Sequence, residues 1–205
     1  AADQGHMNAQ NNLGVMYQDG KGVTEDYKQA VYWYRKAADQ GHDYAQDNLG
    51  MMYEKGRGVT KDYKQAISWF RKAADQGLDY AQNNLGEMYE YGKGVTKDYK
   101  QAVSWYRKAA DQGYDYAQNN LGIMYQSGKG VTENYKQAVS WYRKAANQGL
   151  AIAQSNLGYM YSEGYGVAQD FKQAISWYRK SANQGNDFGQ YNLGFMYQSG
   201  NGVVK

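Results

Sequence analysis

Cysteine is absent from the 205 residues, which excludes both a disulfide framework and a thiolate metal site. This suits a reducing compartment without excluding export, so the compartment stays open. Long apolar runs are missing too. Hydrophobic residues make up 42% of the chain, yet mean hydropathy is −0.92 and no run approaches the roughly 18 residues of a membrane helix. Membrane insertion is therefore not expected. The net charge of +3 gives no ground for a nucleic acid or an anionic membrane as partner. No N-x-[ST] sequon and no signal peptide occur, but Ala1 stands inside a repeat, so the N-terminus reads as truncated.

Signals of catalysis are equally sparse. His6 and His42 occupy equivalent turn positions without a cysteine partner and read as surface histidines. G-K-G-V-T resembles a phosphate loop only superficially, because no Ser or Thr follows Gly-Lys. Glu87 and Glu90 stand three apart on one helix face with no nucleophile beside them. The chain reads as a non-enzyme, and no metal or cofactor is expected.

What the chain does have is repetition. Near-copies of A-Q-N-N-L-G-V-M-Y (Ala9 to Tyr17) recur with leucines 36 residues apart: Leu13, Leu49, Leu85, Leu121, Leu157 and Leu193. A fixed period of this length marks a solenoid whose units bury their apolar faces on one another. We therefore expect a single solenoid domain over residues 1–205. A partial repeat (1–4) precedes full repeats at 5–40, 41–76, 77–112, 113–148 and 149–184, and a half repeat (185–205) follows.

Each unit carries two patterns of helical period separated by a G-x-G turn such as Gly20 and Gly22. The first, helix A, buries Ala45, Leu49, Met52, Tyr53 and their copies. Aspartate followed three residues on by glutamine, as in Asp43 with Gln46, predicts a capping box. Gly14, Gly50 and Gly86 sit in mid-helix, where glycine costs about 1 kcal/mol against alanine. Their recurrence predicts a helix B aromatic packed against bare backbone. The second pattern, helix B, turns Tyr27, Ala30, Val31, Trp33, Tyr34, Ala37 and Ala38 inward. Thr24, Thr60, Thr96 and Thr132 are its expected N-caps, with Asp26, Asp62, Asp98 and Asp170 near the positive end of its dipole. Fifteen of the 23 basic residues are the copies of Lys28, Arg35 and Lys36. They draw a basic ridge that reads as a solvated face or an anion contact.

The string A-Q-x-N-L-G-x-M-Y-x-x-G-x-G-V-T-x-D-Y-K-Q-A-x-x-W-Y-R-K-A-A-x-Q-G resembles the Sel1-like repeat family, which is related to the tetratricopeptide repeats, over essentially the whole chain. The resemblance implies an all-α fold, a right-handed alpha/alpha superhelical solenoid with helix A on the concave face and helix B on the convex one. It also implies a bacterial adaptor or scaffold that binds protein. Two departures are visible: there is no per-repeat cysteine pair, and threonine stands where the family often has proline after G-x-G-V. Hydrolase activity on cell-wall fragments, proposed for relatives, finds no catalytic constellation here.

Because the repeats align with one another, positions that drift separate from those that do not. On helix A the drifting residues fall within roughly a 100° arc opposite the buried stripe. They include Asn8, Tyr44, Tyr80 and Tyr116; Asn11, Asp47, Asn83 and Asn119; Val15, Met51, Glu87 and Ile123; Gln18, Glu54, Glu90 and Gln126. Later copies add Ile152, Tyr159, Ser162, Phe188, Tyr191 and Phe195. At the margin stands an asparagine that never changes: Asn12, Asn48, Asn84, Asn120, Asn156 and Asn192. An amide offers donor and acceptor together. In tetratricopeptide grooves the corresponding asparagine bonds the backbone of a bound peptide, whereas the alternative is a bond within the solenoid. The groove reads acidic toward the N-terminus and apolar toward the C-terminus, which fits an extended protein segment or peptide basic at one end and apolar at the other. The exposed aromatics also suit self-association through the repeat ends.

Overall fold

A computed structural model describes residues 2–202 as eleven α-helices, with no strand among the described residues. Helix A of successive repeats is α1 (Met7–Asp19), α3 (Asp43–Lys55), α5 (Asp79–Tyr91), α7 (Asp115–Ser127), α9 (Ala151–Glu163) and α11 (Asp187–Ser199). Helix B is α2 (Tyr27–Asp39), α4 (Tyr63–Asp75), α6 (Tyr99–Asp111), α8 (Tyr135–Asn147) and α10 (Phe171–Asn183). The chain divides into two compact units, one ending at Trp105 and the other beginning at Tyr106.

In the first unit α1 packs on α2, α2 on α3, α3 on α4 and α4 on α5. Ala30, Tyr34, Ala37, Ala45, Leu49 and Met52 form one buried cluster, which Trp69 of α4 joins. Phe70, Ala73, Leu78, Ala81, Leu85 and Met88 form the next. Burial of each leucine or aromatic contributes about 1.5–3 kcal/mol, and small alanines let the helices approach closely. In the second unit α7 packs on α8, α8 on α9, α9 on α10, and α10 on α11, which also touches α9. Its clusters centre on Tyr142, Leu157 and Met160 and on Ile175, Tyr178 and Met196.

The mid-helix glycines are explained as the sequence predicts. A Cβ built on Gly50 would stand 2.6 Å from Cδ1 and Cε1 of Phe70, and the same holds for Gly14 against Tyr34 and Gly122 against Tyr142. The ring of helix B lies on bare backbone. The second glycine of the turn is required twice over: Gly58 has φ 69°, and a Cβ there would fall 2.2 Å from the Tyr27 carbonyl oxygen.

Both capping expectations need correction. Helix B is capped by the aspartate two residues after the threonine. Asp62 accepts from the Lys64 and Gln65 amides at 2.9 and 3.1 Å, and Asp26 and Asp98 do the same in their repeats. Asn134 and Asp170 take that place in α8 and α10. Threonine sits two residues too early to reach those amides. On helix A, Asp43 is the first helical residue and His42 is the N-cap, its Nδ1 accepting from the Ala45 amide at 3.2 Å. Gln46 does not turn back to a cap. It is buried, and its Nε2 donates to the Ala38 carbonyl at 3.1 Å while its Oε1 accepts from Gln76 Nε2 at 2.7 Å. Gln118 with Gln148, and Gln154 with Gln184, repeat the arrangement in the second unit. Each amide fastens its own helix A to the preceding helix B and to the end of the following one.

Candidate functional site

The drifting face of helix A splits into two kinds of position. The residues five before each leucine are exposed: Tyr44 is 50% accessible and Tyr80 44%, their rings 6.3 Å apart. Tyr116, Ile152 and Phe188 are exposed in the second unit. Met51, Glu87, Ile123 and Tyr159 are half-buried, with Met51, Ile123 and Tyr159 leaning on the hydrophobic clusters, and Phe195 is exposed.

In α3, α5, α7 and α9 the residue two before the leucine is buried and does not face a groove, whereas Tyr191 in α11 is exposed. Asp47 retains 6% of its surface, Asn83 and Asn119 3% each, and Ser155 1%. Their drift has another cause, because they are the acceptors for the asparagine that never changes. Asn48 Nδ2 donates to Asn11 Oδ1 at 3.1 Å, Asn84 to Asp47 at 2.9 Å and Asn156 to Asn119 at 2.8 Å. The ladder therefore runs from repeat to repeat, and any residue offering a side-chain oxygen at sufficient reach sustains it. Ser155 is too short. Asn192 turns instead to the Phe188 carbonyl at 2.8 Å, and Ser155 Oγ is left buried without a hydrogen bond. Asn12 is exposed and Asn120 half-buried.

The acidic positions are largely answered from within. Glu54 pairs with Lys93 at 2.7 Å, Asp19 with Lys21 at 2.7 Å, and Glu87 Oε1 accepts from Asn83 Nδ2 at 3.0 Å. Lys93 belongs to the turn rather than to helix A, so counting helix A charges alone overstates the acidity. Burial is the largest influence on Glu87 and raises its pKa, with the bond from Asn83 acting the other way. Glu90 is half-buried and Tyr91 exposed.

The basic ridge of helix B is also engaged. Arg71 donates to the Tyr89 hydroxyl at 2.5 Å, Arg107 to Tyr125 at 2.6 Å and Arg143 to Tyr161 at 3.0 Å, while Arg35 bonds Tyr53 and Arg179 bonds Tyr197. Lys72, Lys144 and Lys180 lie over the tryptophan of their own helix at 3.8, 4.0 and 4.1 Å from the ring centre. The charges expected to form a free ridge mainly tie helix B to the next helix A, or cover tryptophan.

One further set of pairs escaped the sequence. The residue five after each leucine meets the helix B aromatic sixteen positions on. Tyr34 donates to Gln18 Oε1 at 3.0 Å and Tyr142 to Gln126 Oε1 at 2.5 Å. Phe70 has no hydroxyl, and its counterpart Glu54 is the one that pairs with Lys93. Ser162 lies 3.3 Å from the Tyr178 hydroxyl. Among the described residues no cluster of three or more His, Asp or Glu is arranged for a metal ion, and no helix is long and apolar enough to cross a membrane.

Comparison with solved structures finds close relatives of this arrangement. A protective antigen of uropathogenic Escherichia coli strains, described as displaying an SLR fold, is 46% identical over 97% of this chain with a TM-score of 0.89; this chain spans 43% of its length. A Sel1 repeat protein from Oxalobacter formigenes is 38% identical over 98% of this chain and 80% of its own, with a TM-score of 0.91. An immunity protein from Pseudomonas aeruginosa, 24% identical over 89% of this chain and 67% of its own, shares the fold with a TM-score of 0.60. No curated protein matches. The Sel1 repeat model matches residues 8–42, 43–78, 79–114, 115–150, 151–186 and 188–205, so that with its 36-residue period, its paired helices and its glutamine and glycine contacts the chain belongs to the Sel1 repeat family.

Proposed function

We propose that this chain is a non-enzymatic binding scaffold that takes an extended protein segment or peptide along the helix A face. Sel1 repeats generally build protein-interaction scaffolds, and the observation that supports this face is that the position five before the leucine stays exposed and apolar, aromatic in four of the five repeats from α3 onward and isoleucine in the other. Tyr44 and Tyr80 in one unit, and Tyr116, Ile152 and Phe188 in the other, drift in identity while remaining accessible. Aromatic side chains bury large areas at little conformational cost and dominate binding surfaces. The invariant asparagines support a backbone contact through Oδ1, since Nδ2 of Asn48, Asn84 and Asn156 is committed to the preceding repeat.

The test follows from that commitment. Replacing Asn84 would strand the Asp47 carboxylate, so a loss of binding would be confounded with instability. The double variant Tyr44→Ala, Tyr80→Ala removes only exposed rings. Against a peptide selected on the wild-type protein it is expected to weaken binding at least about tenfold, equivalent to about 1.4 kcal/mol, with the thermal midpoint nearly unchanged. Unaltered affinity in calorimetry would remove this face from the reading.

Self-association is a second reading, favoured by α11. Tyr191 is 71% accessible there. A monomeric mass at high concentration in light scattering would exclude it.

A further inference from the structure

The pair of columns that joins helix A to helix B is filled differently in α9. Where α1 and α7 carry glutamine against the tyrosine hydroxyl, α9 carries the much shorter Ser162. A cavity of about 100 Å³ lies here, lined by Tyr159, Ser162, Glu163, Phe171, Tyr178, Asn192 and Phe195, with Met196 and the Asn201 amide completing it. Its base is buried: Ser162 retains 7% and Tyr178 1% of their surface.

The lining is rich in acceptors and aromatic faces and contains no cation, and its Asn201 amide offers an acceptor as well as a donor. The Ser162 hydroxyl donates to the Tyr159 carbonyl at 3.0 Å or to Glu163 Oε1 at 3.1 Å, and with the Tyr178 hydroxyl 3.3 Å away accepting or donating, one Oγ lone pair is left for a donor in the cavity. Asn192 has committed Nδ2 to the Phe188 carbonyl at 2.8 Å, so its remaining polar atom is the acceptor Oδ1. Among the described residues no lysine or arginine forms an ion pair with Glu163. Its charge is nonetheless felt at the rings, since Tyr159 and Tyr178 are both raised, by burial first and by Glu163 among the lesser causes. A group made only of donors and positive charge complements such walls. The volume suits one flexible side-chain end and is well below that of a drug-sized ligand site.

We propose that this pocket binds an alkylammonium group, the end of one lysine side chain of a segment lying on the helix A face. The assignment rests on the reading of that face as the binding face, to which Tyr159 and Phe195 also belong. It places a cation among the C-terminal repeats, where the sequence pattern alone suggested a purely apolar contact.

The experiment uses n-butylammonium chloride as the ligand, n-butanol as its neutral match and sodium chloride as the ionic control, followed by amide and aromatic NMR shifts on the full chain. Butylammonium is expected to shift the Tyr159, Tyr178 and Phe195 resonances saturably, with n-butanol at least about tenfold weaker. Ser162→Gln introduces the side chain that α1 and α7 already accommodate, and is expected to abolish the shifts while the thermal midpoint holds. Glu163→Gln is expected to lower affinity severalfold. Equal binding of n-butanol, or wild-type affinity in Ser162→Gln, would overturn the proposal. Should Ser162→Gln fail to fold, the butanol comparison and Glu163→Gln decide on their own. Absence of any butylammonium shift removes the pocket but not the peptide-binding face, which is judged separately by Tyr44 and Tyr80 in the other unit.

Discussion

Asp47 shows how one residue carries an environment that its neighbours in the ladder avoid. Burial is the largest influence on its carboxyl and pushes the pKa up to about 6, opposed by the bond from Asn84 and assisted by the charges of Asp79 and Glu54. With the folded pKa above the ordinary carboxylate value, the folded chain holds a proton that the unfolded chain releases between about pH 4 and 6. Stability is therefore greatest at the acid end of that window and falls as pH rises through 6. Asp47→Asn matches Asn11, Asn83 and Asn119 and keeps an acceptor for Asn84. It is expected to stabilise the protein at pH 7 by on the order of 1–3 kcal/mol and to lose that advantage near pH 4; calorimetric midpoints at the two pH values check the sign. The mid-helix glycines make a second contrast. Gly50→Ala forces a methyl to 2.6 Å from the Phe70 ring and is expected to destabilise by about 1–3 kcal/mol. Gly194→Ala meets nothing within 4 Å and is expected to be neutral or to gain up to about 1 kcal/mol from helix propensity. Urea midpoints of the two variants should move in opposite directions, or the first alone should move.

Among the elements, the helices and their period were legible, because Ala45, Leu49 and Met52 and their copies recur at spacings that only a helix brings to one side, but Tyr27 and Tyr53, expected in the buried stripes, are half-buried, and α11 buries little of its stripe. The helix ends were not legible. Asp43 and Gln46 have the spacing of a capping box, but the buried amide of Gln46 gains more by bridging Ala38 and Gln76 than by folding back. Asp62→Ala is accordingly expected to cost about 1 kcal/mol and Thr60→Ala less than about 0.5 kcal/mol, measured as thermal midpoints. The exposed row of the candidate face was legible from drift. Asp47, Asn83 and Asn119 were misread because drift there reflects a choice of acceptor, and a single residue's variation does not reveal its partner 37 positions away. The same limit hid a compensated pair. Ser181 replaces the alanine found at Ala37, Ala73 and Ala145, and donates to the Ala151 carbonyl at 2.7 Å. Gly189 replaces the alanine found at Ala45, Ala81 and Ala153, where a Cβ would lie 2.5 Å from Ser181 Oγ. Gly189→Ala is expected to destabilise, and adding Ser181→Ala to recover part of the loss, since the Ser181 Cβ at 2.7 Å and the Ala182 amide at 2.9 Å remain, a coupling that a double-mutant cycle reads directly.

Across the whole molecule, stability in a repeat protein is close to a sum of unit and nearest-neighbour terms. α3 buries six of its residues, whereas α11 buries only Gly189 and Met196. Amide exchange is accordingly expected to be faster in α11 than in α3 or α7; equal protection would contradict a stack stabilised by neighbours. The mismatched pairs also bear on how such a chain finds itself. Gln46 with Gln76 and Gln118 with Gln148 make the same bonds, so a folding chain that slipped by a whole repeat, or traded a repeat with another copy, would satisfy them all equally well. Ser181 against Gly189 fits only its own place, since an alanine there would put a Cβ 2.5 Å from Ser181 Oγ. An irregular contact of this kind acts as a key that gives interchangeable repeats an order, and a chain made uniform at that site would forfeit some of its defence against slipped and swapped assemblies.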